Sequence, residues 1–250
     1  MKDNIYTIPL IDAFHSNHEC PFCFIYNNME NEALEFMLGS AYMADNIREK
    51  TNKLGFCSNH YKLLYEHGNR LGLALMMHTH LLELKKTLDP LLEANSPRES
   101  VSKLSIFKKK ETENNISKFI SENKSNCYIC DKIDRDMNRY LDTLFLVWKK
   151  DPKFIELVKS CNGFCLSHFA ALLDMAPRKL SGNTLDEFYN IIIPLTKENI
   201  DRIEEELSWF IDKYDYRNKD APWKNSKDAL PRSIQKIASM DVTNYNDSNN

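Results

Sequence analysis

The sequence predicts an all-α protein made of internally duplicated helical units, each pinned by a Cys3His metal site. Three observations carry this expectation. The chain has six glycines in 250 residues and is rich in Leu, Met, Lys and Glu. Apolar residues recur at steps of three and four in two long stretches, and no two-residue alternation bounded by hairpin turns is present. The stretch GFCSNHY at 55–61 returns as GFCLSHF at 163–169.

Taken in order, the amino terminus, MKDNIYTIPLIDAFHSNHEC, lacks an uninterrupted apolar core of signal-peptide length, and no run of about 18 apolar residues follows it. This predicts a soluble, cytoplasmic chain with no membrane partner. A first CxxC/CxxH helical unit is expected over 1–95. Residues 96–126 are polar and read as a connector with room for a short helix. A second CxxC/CxxH unit follows over 127–217, then a C-terminal helical segment over 218–240 and a disordered tail at 241–250. At most short ribbon-like turns are expected around the cysteines.

In the second unit Ile133, Met137, Tyr140, Leu144 and Trp148 share one helical face. Leu185, Phe188, Ile192, Leu195, Ile203, Leu207 and Phe210 do the same further on. Gly55 and Gly163 each follow a helical pattern and suit a left-handed C-terminal cap. Asp151-Pro152 breaks the long helix of the second half, Gly39-Ser40 is a weaker break in the first, and Pro194 predicts a kink or a boundary.

Aligning the CxxC motifs shows the duplication. Cys20 and Cys23 precede Cys57 and His60, as Cys127 and Cys130 precede Cys165 and His168, with 33 and 34 residues between the pairs. Apolar positions match as well: Tyr26 with Ile133, Ala33 with Tyr140, Met37 with Leu144, Ala41 with Trp148. Four ligand types in the same order at nearly the same interval make a duplication the economical reading.

Three cysteines and one histidine form a complete tetrahedral set for zinc. In CxxC the two-residue spacer lets both sulfurs face one ion. In CxxH at a helix start, positions i and i+3 share a face, and the helix N-terminus favours thiolate over thiol. A straight helix through the residues between the pairs would hold them about 50 Å apart, so each spacer must fold back on itself. Otherwise the CxxC of one unit joins the CxxH of the other. The spacing leaves both pairings open. Two zinc ions per chain are expected. The alternative is redox chemistry by an iron-sulfur centre or the CxxC dithiols. Covalent c-type haem is excluded, because Phe24 and Asp131 stand where histidine would be required.

Several residues invite a functional reading and receive a structural one. Cys161 aligns with Lys53 and reads as a packing residue. His15 and His18 lie beside an already full ligand set. His78 and His80 point to different sides of a helix. FKKKE at 107–111 reads as a solvated face, Met76 and Met77 as core, and Trp209, Phe210 and Trp223 as cover for the end of the bundle. A net charge of -3 and a pI near 6.2 give no general pull toward nucleic acid, which is not an expected partner. No Gly-rich phosphate loop, GxSxG elbow or HExxH helix is present, so no catalytic residue is assigned and an enzyme is not the favoured reading.

CPFC, GFCSNH, CYIC and GFCLSH, in this order and in a helical chain of this length, resemble an uncharacterised family of bacterial proteins. The resemblance runs over roughly residues 5 to 240 and includes DALPRSIQKIA near the end. Some members are labelled ABC-transporter substrate-binding proteins, which have an export signal and strand-rich lobes that this sequence does not offer. The resemblance implies that Cys20, Cys23, Cys57, His60, Cys127, Cys130, Cys165 and His168 act as two metal-binding sets, and it implies no activity. The expected role is a zinc-binding adaptor or interaction module with a protein partner.

Overall fold

A computed structural model of the chain describes residues 5–94 and 115–242. Among them every regular element is helical, and no helix is long and apolar enough to cross a membrane. The basic run at 107–111, most of the connector and the end of the tail lie outside the described residues.

The duplication is visible as two runs of five helices. The first comprises α1 (Thr7–His15), α2 (Pro21–Gly39), α3 (Asp45–Leu54), α4 (Ser58–His67) and α5 (Arg70–Ala94). The second comprises α6 (Asn115–Ser125), α7 (Tyr128–Trp148), α8 (Pro152–Lys159), α9 (Leu166–Lys179) and α10 (Gly182–Asp212). A last helix, α11 (Ala229–Ala238), follows the second run, and among the described residues it has no counterpart in the first.

Local chemistry sets the ends. Asp151 caps α8, accepting a hydrogen bond from the Lys153 backbone N–H at 2.9 Å, and Pro152 takes the first helical position, where its missing N–H is harmless. Gly39 ends α2, and a single 3-10 turn at Ala41–Met43 leads into α3. Both breaks fall where the sequence places them. Pro194 behaves differently: α10 runs through it without a boundary. Burial of Phe188, Ile192 and Leu195 around it supplies the packing that holds the helix together across the proline. Gly55 has a positive φ of 59° but a ψ of -151°, so it occupies a region almost reserved for glycine and not the expected left-handed helical cap.

The chain divides into two compact units, each drawn from both repeats. The terminal unit comprises the residues up to Met29 and those from Arg135 onward. Its core contains a ring cluster in which Phe14 meets Phe22, Phe154 and Phe164 edge-on at 5.2–6.3 Å. On α7, Trp148 packs against Phe188 of α10 at 4.9 Å. The central unit is Glu30–Asp134. Its core includes Met37, Leu64, Leu73, Met76, Ile129 and Ile133. Met77, expected in the core, is 40% exposed: it stands about 100° round α5 from Met76, at the edge of the buried stripe.

Gly163 has a positive φ of 75° but stands beyond Ser160, the residue that caps α8, and so is not the expected helix cap. The structural readings of the two histidines on α5 and of the rings after α10 hold. His78 is exposed. His80 is half-buried, its Nδ1 2.7 Å from the Asn52 carbonyl. At the end of α10, Trp209 Nε1 donates to the Pro222 carbonyl at 3.0 Å, and the Phe210 and Trp223 rings meet at 5.9 Å, so the segment after the helix folds back over it.

Candidate metal centres

All four motifs use one local device. The first cysteine sits at the helix N-cap and the second ligand three residues on, in the first turn. Cys57 caps α4 and Cys165 caps α9, their carbonyls accepting from Tyr61 and Phe169 N–H at 2.9 Å. Cys20 and Cys127 stand in the same relation to α2 and α7, accepting from Phe24 at 3.2 Å and Asp131 at 3.0 Å. At an N-terminus, residues i and i+3 lie on one side, and the positive end of the helix dipole favours thiolate there.

The structure brings the eight predicted residues together as two sets, and of the two pairings the crossed one is present. Cys20 and Cys23 join Cys165 and His168 in the terminal unit, and Cys57 and His60 join Cys127 and Cys130 in the central unit. Helix lengths are unequal on the two sides of each break, in keeping with the crossing. In the first repeat α2 carries the chain 19 residues away from its CxxC, about 28 Å, and α3 returns only 10 residues, about 15 Å. In the second, α7 leads out 21 residues, about 32 Å, and α8 returns 8, about 12 Å. In each repeat the returning helix is the shorter, so the helices alone do not bring a CxxH back to its own CxxC.

In the terminal cluster Cys23 Sγ lies 3.5 Å from Cys165 Sγ, and His168 Nδ1 lies 3.5, 3.6 and 3.0 Å from the sulfurs of Cys20, Cys23 and Cys165. In the central cluster Cys57 Sγ is 3.8 Å from Cys130 Sγ, and His60 Nδ1 is 3.2, 3.2 and 3.4 Å from Cys57, Cys127 and Cys130. Zinc at its usual bond lengths in a tetrahedral site sets sulfurs about 3.8 Å apart and sulfur from nitrogen about 3.6 Å. Both clusters therefore stand at or slightly inside the edges of such a site, and either could hold a metal ion.

Electrostatics agree. Burial alone would lower the His60 pKa, yet hydrogen bonds to Cys127 and Glu30 raise it to about 10. Burial opposes ionisation of Cys127 too, but the bond to His60 and the N–H groups of Cys130 and Cys57 bring it down to about 6. Burial and the neighbouring Cys127 push Cys130 up. In the terminal cluster, bonds from Cys20 and Cys23 hold Cys165 down, the bond to Cys165 pushes Cys23 up, and His168 rises to about 10 through its bonds to Cys165 and Cys20 despite burial. Each cluster thus accommodates one thiolate readily and resists a second until positive charge is supplied at its centre, as a divalent cation does.

The surroundings differ between the clusters. His60 turns its other nitrogen, Nε2, to Glu30 Oε1 at 3.1 Å, an arrangement that fixes ring orientation and raises ligand basicity. In the terminal cluster Ser239 Oγ donates to Cys165 Sγ at 3.1 Å, and the His168 ring packs against Phe22. Beside it lies a buried ionic group. Glu19, 4% exposed, receives Arg202 at 2.6 Å, Arg232 at 3.2 Å and Lys236 at 3.2 Å, and Arg232 also pairs with Glu206.

Glu30, Glu19, Ser239 and Lys236 have no place in the sequence reading, since their partners lie far away in the chain. The one local signal was a lysine in the inward stripe of α11, at helical spacing from Ala229 and Ser233. Cys161, His15 and His18 belong to neither cluster. Cys161 is half-buried, its thiol raised to about 11 by burial, and His18 packs on Phe24 at 4.8 Å.

Comparison with curated proteins and with solved structures returns no match. A family profile, described as "Family of unknown function (DUF6062)", matches residues 1–244. With all four ligand pairs inside that span, the chain belongs to this family of unknown function.

Proposed function

We propose that both Cys3His clusters bind zinc as structural ions, two per chain, and that the protein acts in the cytoplasm as an adaptor or interaction module. The observation that carries the reading is the convergence of four helix N-termini in pairs, each pair presenting three sulfurs and one Nδ1 whose ligand atoms lie within 4.8 Å of one another. An iron-sulfur cluster interposes several metals and bridging sulfides, and so spreads its ligands more widely than a single ion does. Four protein ligands also close the coordination sphere, leaving no position for water or substrate, which favours a structural over a catalytic ion. Seven cysteines free of disulfides suit a reducing compartment. A protein partner is supported by exposed apolar side chains along α5, where Leu71, Leu75, Leu81 and Leu82 would bury area on association.

Metal analysis of protein from rich medium, with an absorption spectrum taken before air exposure, tests the metal. Two zinc ions per colourless chain support the reading, and visible absorption with iron and sulfide replaces it by the redox alternative. Pull-down with the intact chain, set against a variant carrying aspartate at Leu71 and Leu75, tests the adaptor role. Capture unaffected by those substitutions counts against α5 as the surface.

A further inference from the structure

We propose that Lys236 is a positioning residue for the Cys20, Cys23, Cys165 and His168 cluster, clamping its two ligand-bearing turns from α11 in place of a backbone hydrogen bond that Pro21 makes impossible. The inference rests on the metal reading of that cluster. In the central cluster the two turns are tied directly: Tyr128 N–H donates to the Gly55 carbonyl at 3.0 Å, joining the residue after Cys127 to the glycine that leads into Cys57. In the terminal cluster Gly163 stands in the place of Gly55, but Pro21 stands in the place of Tyr128 and has no N–H to give.

The ammonium of Lys236, 3% exposed, spans the same two turns. It donates to the carbonyl of Glu19, the residue before Cys20, at 2.5 Å, and to the carbonyl of Asn162, the residue before Gly163. A third contact, to Glu19 Oε2 at 3.2 Å, uses its last donor. A fully buried lysine with all three donors directed at these two turns is costly unless the geometry it fixes is needed. Three residues on, Ser239 donates to the ligand Cys165. α11 thus supplies what the proline removed, and seating of α11 and occupancy of this cluster favour one another equally.

The test uses the full zinc-loaded chain with Lys236→Met. Zinc release to excess chelator is followed in time, and cadmium-substituted protein is used to assign each ion through its correlations to cysteine Hβ protons. Release from the cluster containing Cys20 should quicken about 10–100-fold, while the other ion is unaffected. Pro21→Ala in the Lys236→Met background restores an N–H and should return much of the loss, which a purely structural role for the lysine would not do. Equal effects on both ions, or none, overturn the assignment. In the unsubstituted chain, α11 amides should lose hydrogen-exchange protection when zinc is removed. Unchanged protection overturns the assignment even if Lys236→Met fails to fold. Protein that carries no metal as purified overturns the zinc reading as well, whereas two ions with unaltered release overturn this assignment alone.

Discussion

Gly55 and Gly163 are equivalent in the repeat, but the structure predicts unequal penalties for replacing them with alanine. At Gly55 the new methyl would fall 2.5 Å from His80 Nε2 and 2.8 Å from Cε1. The ring must move, and its contact with the Asn52 carbonyl at 2.7 Å goes with it. A non-glycine residue at φ 59° and ψ -151° adds backbone strain. The strain is about 1–3 kcal/mol and the lost bond about 1 kcal/mol, so Gly55→Ala should destabilise by about 2–4 kcal/mol. At Gly163, with φ 75°, the nearest atoms are Asn199 Cβ at 3.3 Å and the Leu195 carbonyl at 3.4 Å, a tight fit without overlap. Only the strain remains, about 1–3 kcal/mol. Gly39→Ala, with nothing within 4 Å, is the control and should be neutral or stabilising. Urea unfolding of zinc-loaded variants, each checked for an unchanged slope, gives the ranking. A penalty at Gly163 equal to or above that at Gly55 would refute the claim that the His80 ring is what makes the first turn intolerant.

Cys20→Ser should expose the terminal unit although Cys20 lies in the first repeat: hydrogen exchange should quicken from Arg135 onward and leave Glu30–Asp134 protected, the reverse of what closure within a repeat would give. Glu30→Gln should weaken the ion at Cys57, His60, Cys127 and Cys130 by about 10–100-fold in a chelator competition and spare the other ion. Glu19 is buried, which would raise its pKa, but Arg202 and Lys236 bring it below the ordinary value of 4.5. A carboxylate lowered in the folded state stabilises above its unfolded pKa and loses that contribution as pH falls through the folded one. Urea midpoints should therefore drop more steeply on acidification below 4.5 in the natural chain than in Glu19→Gln, and parallel profiles would contradict the role given to Glu19.

The ligands themselves were legible because their chemistry is local: a cysteine at an N-cap and a ligand one turn on are written in four consecutive residues. The helical plan was legible for the same reason, through apolar periodicity, Asp151-Pro152 and Gly39. Which pair meets which was not, because spacers of 33 and 34 residues allow either closure. The pairing goes with unequal outward and returning helices, whose ends depend on packing. Pro194 sets no boundary because packing on both sides of it carries α10 through. Met77 misled because it follows Met76 directly and so stands about 100° further round α5, at the edge of the buried face. Glu30 and Lys236 act across 30 and 217 residues, to His60 and Glu19, and no window of sequence contains such pairs.

X-ray absorption at the metal edge of the purified full chain, combined with a metal count, bears most directly on two closed Cys3His zinc sites. Two zinc ions per chain are expected, each with three sulfurs at about 2.3 Å and one nitrogen at about 2.0–2.1 Å. Iron with bridging sulfide, a zinc shell that includes a water oxygen, or a chain with no bound metal would contradict this expectation.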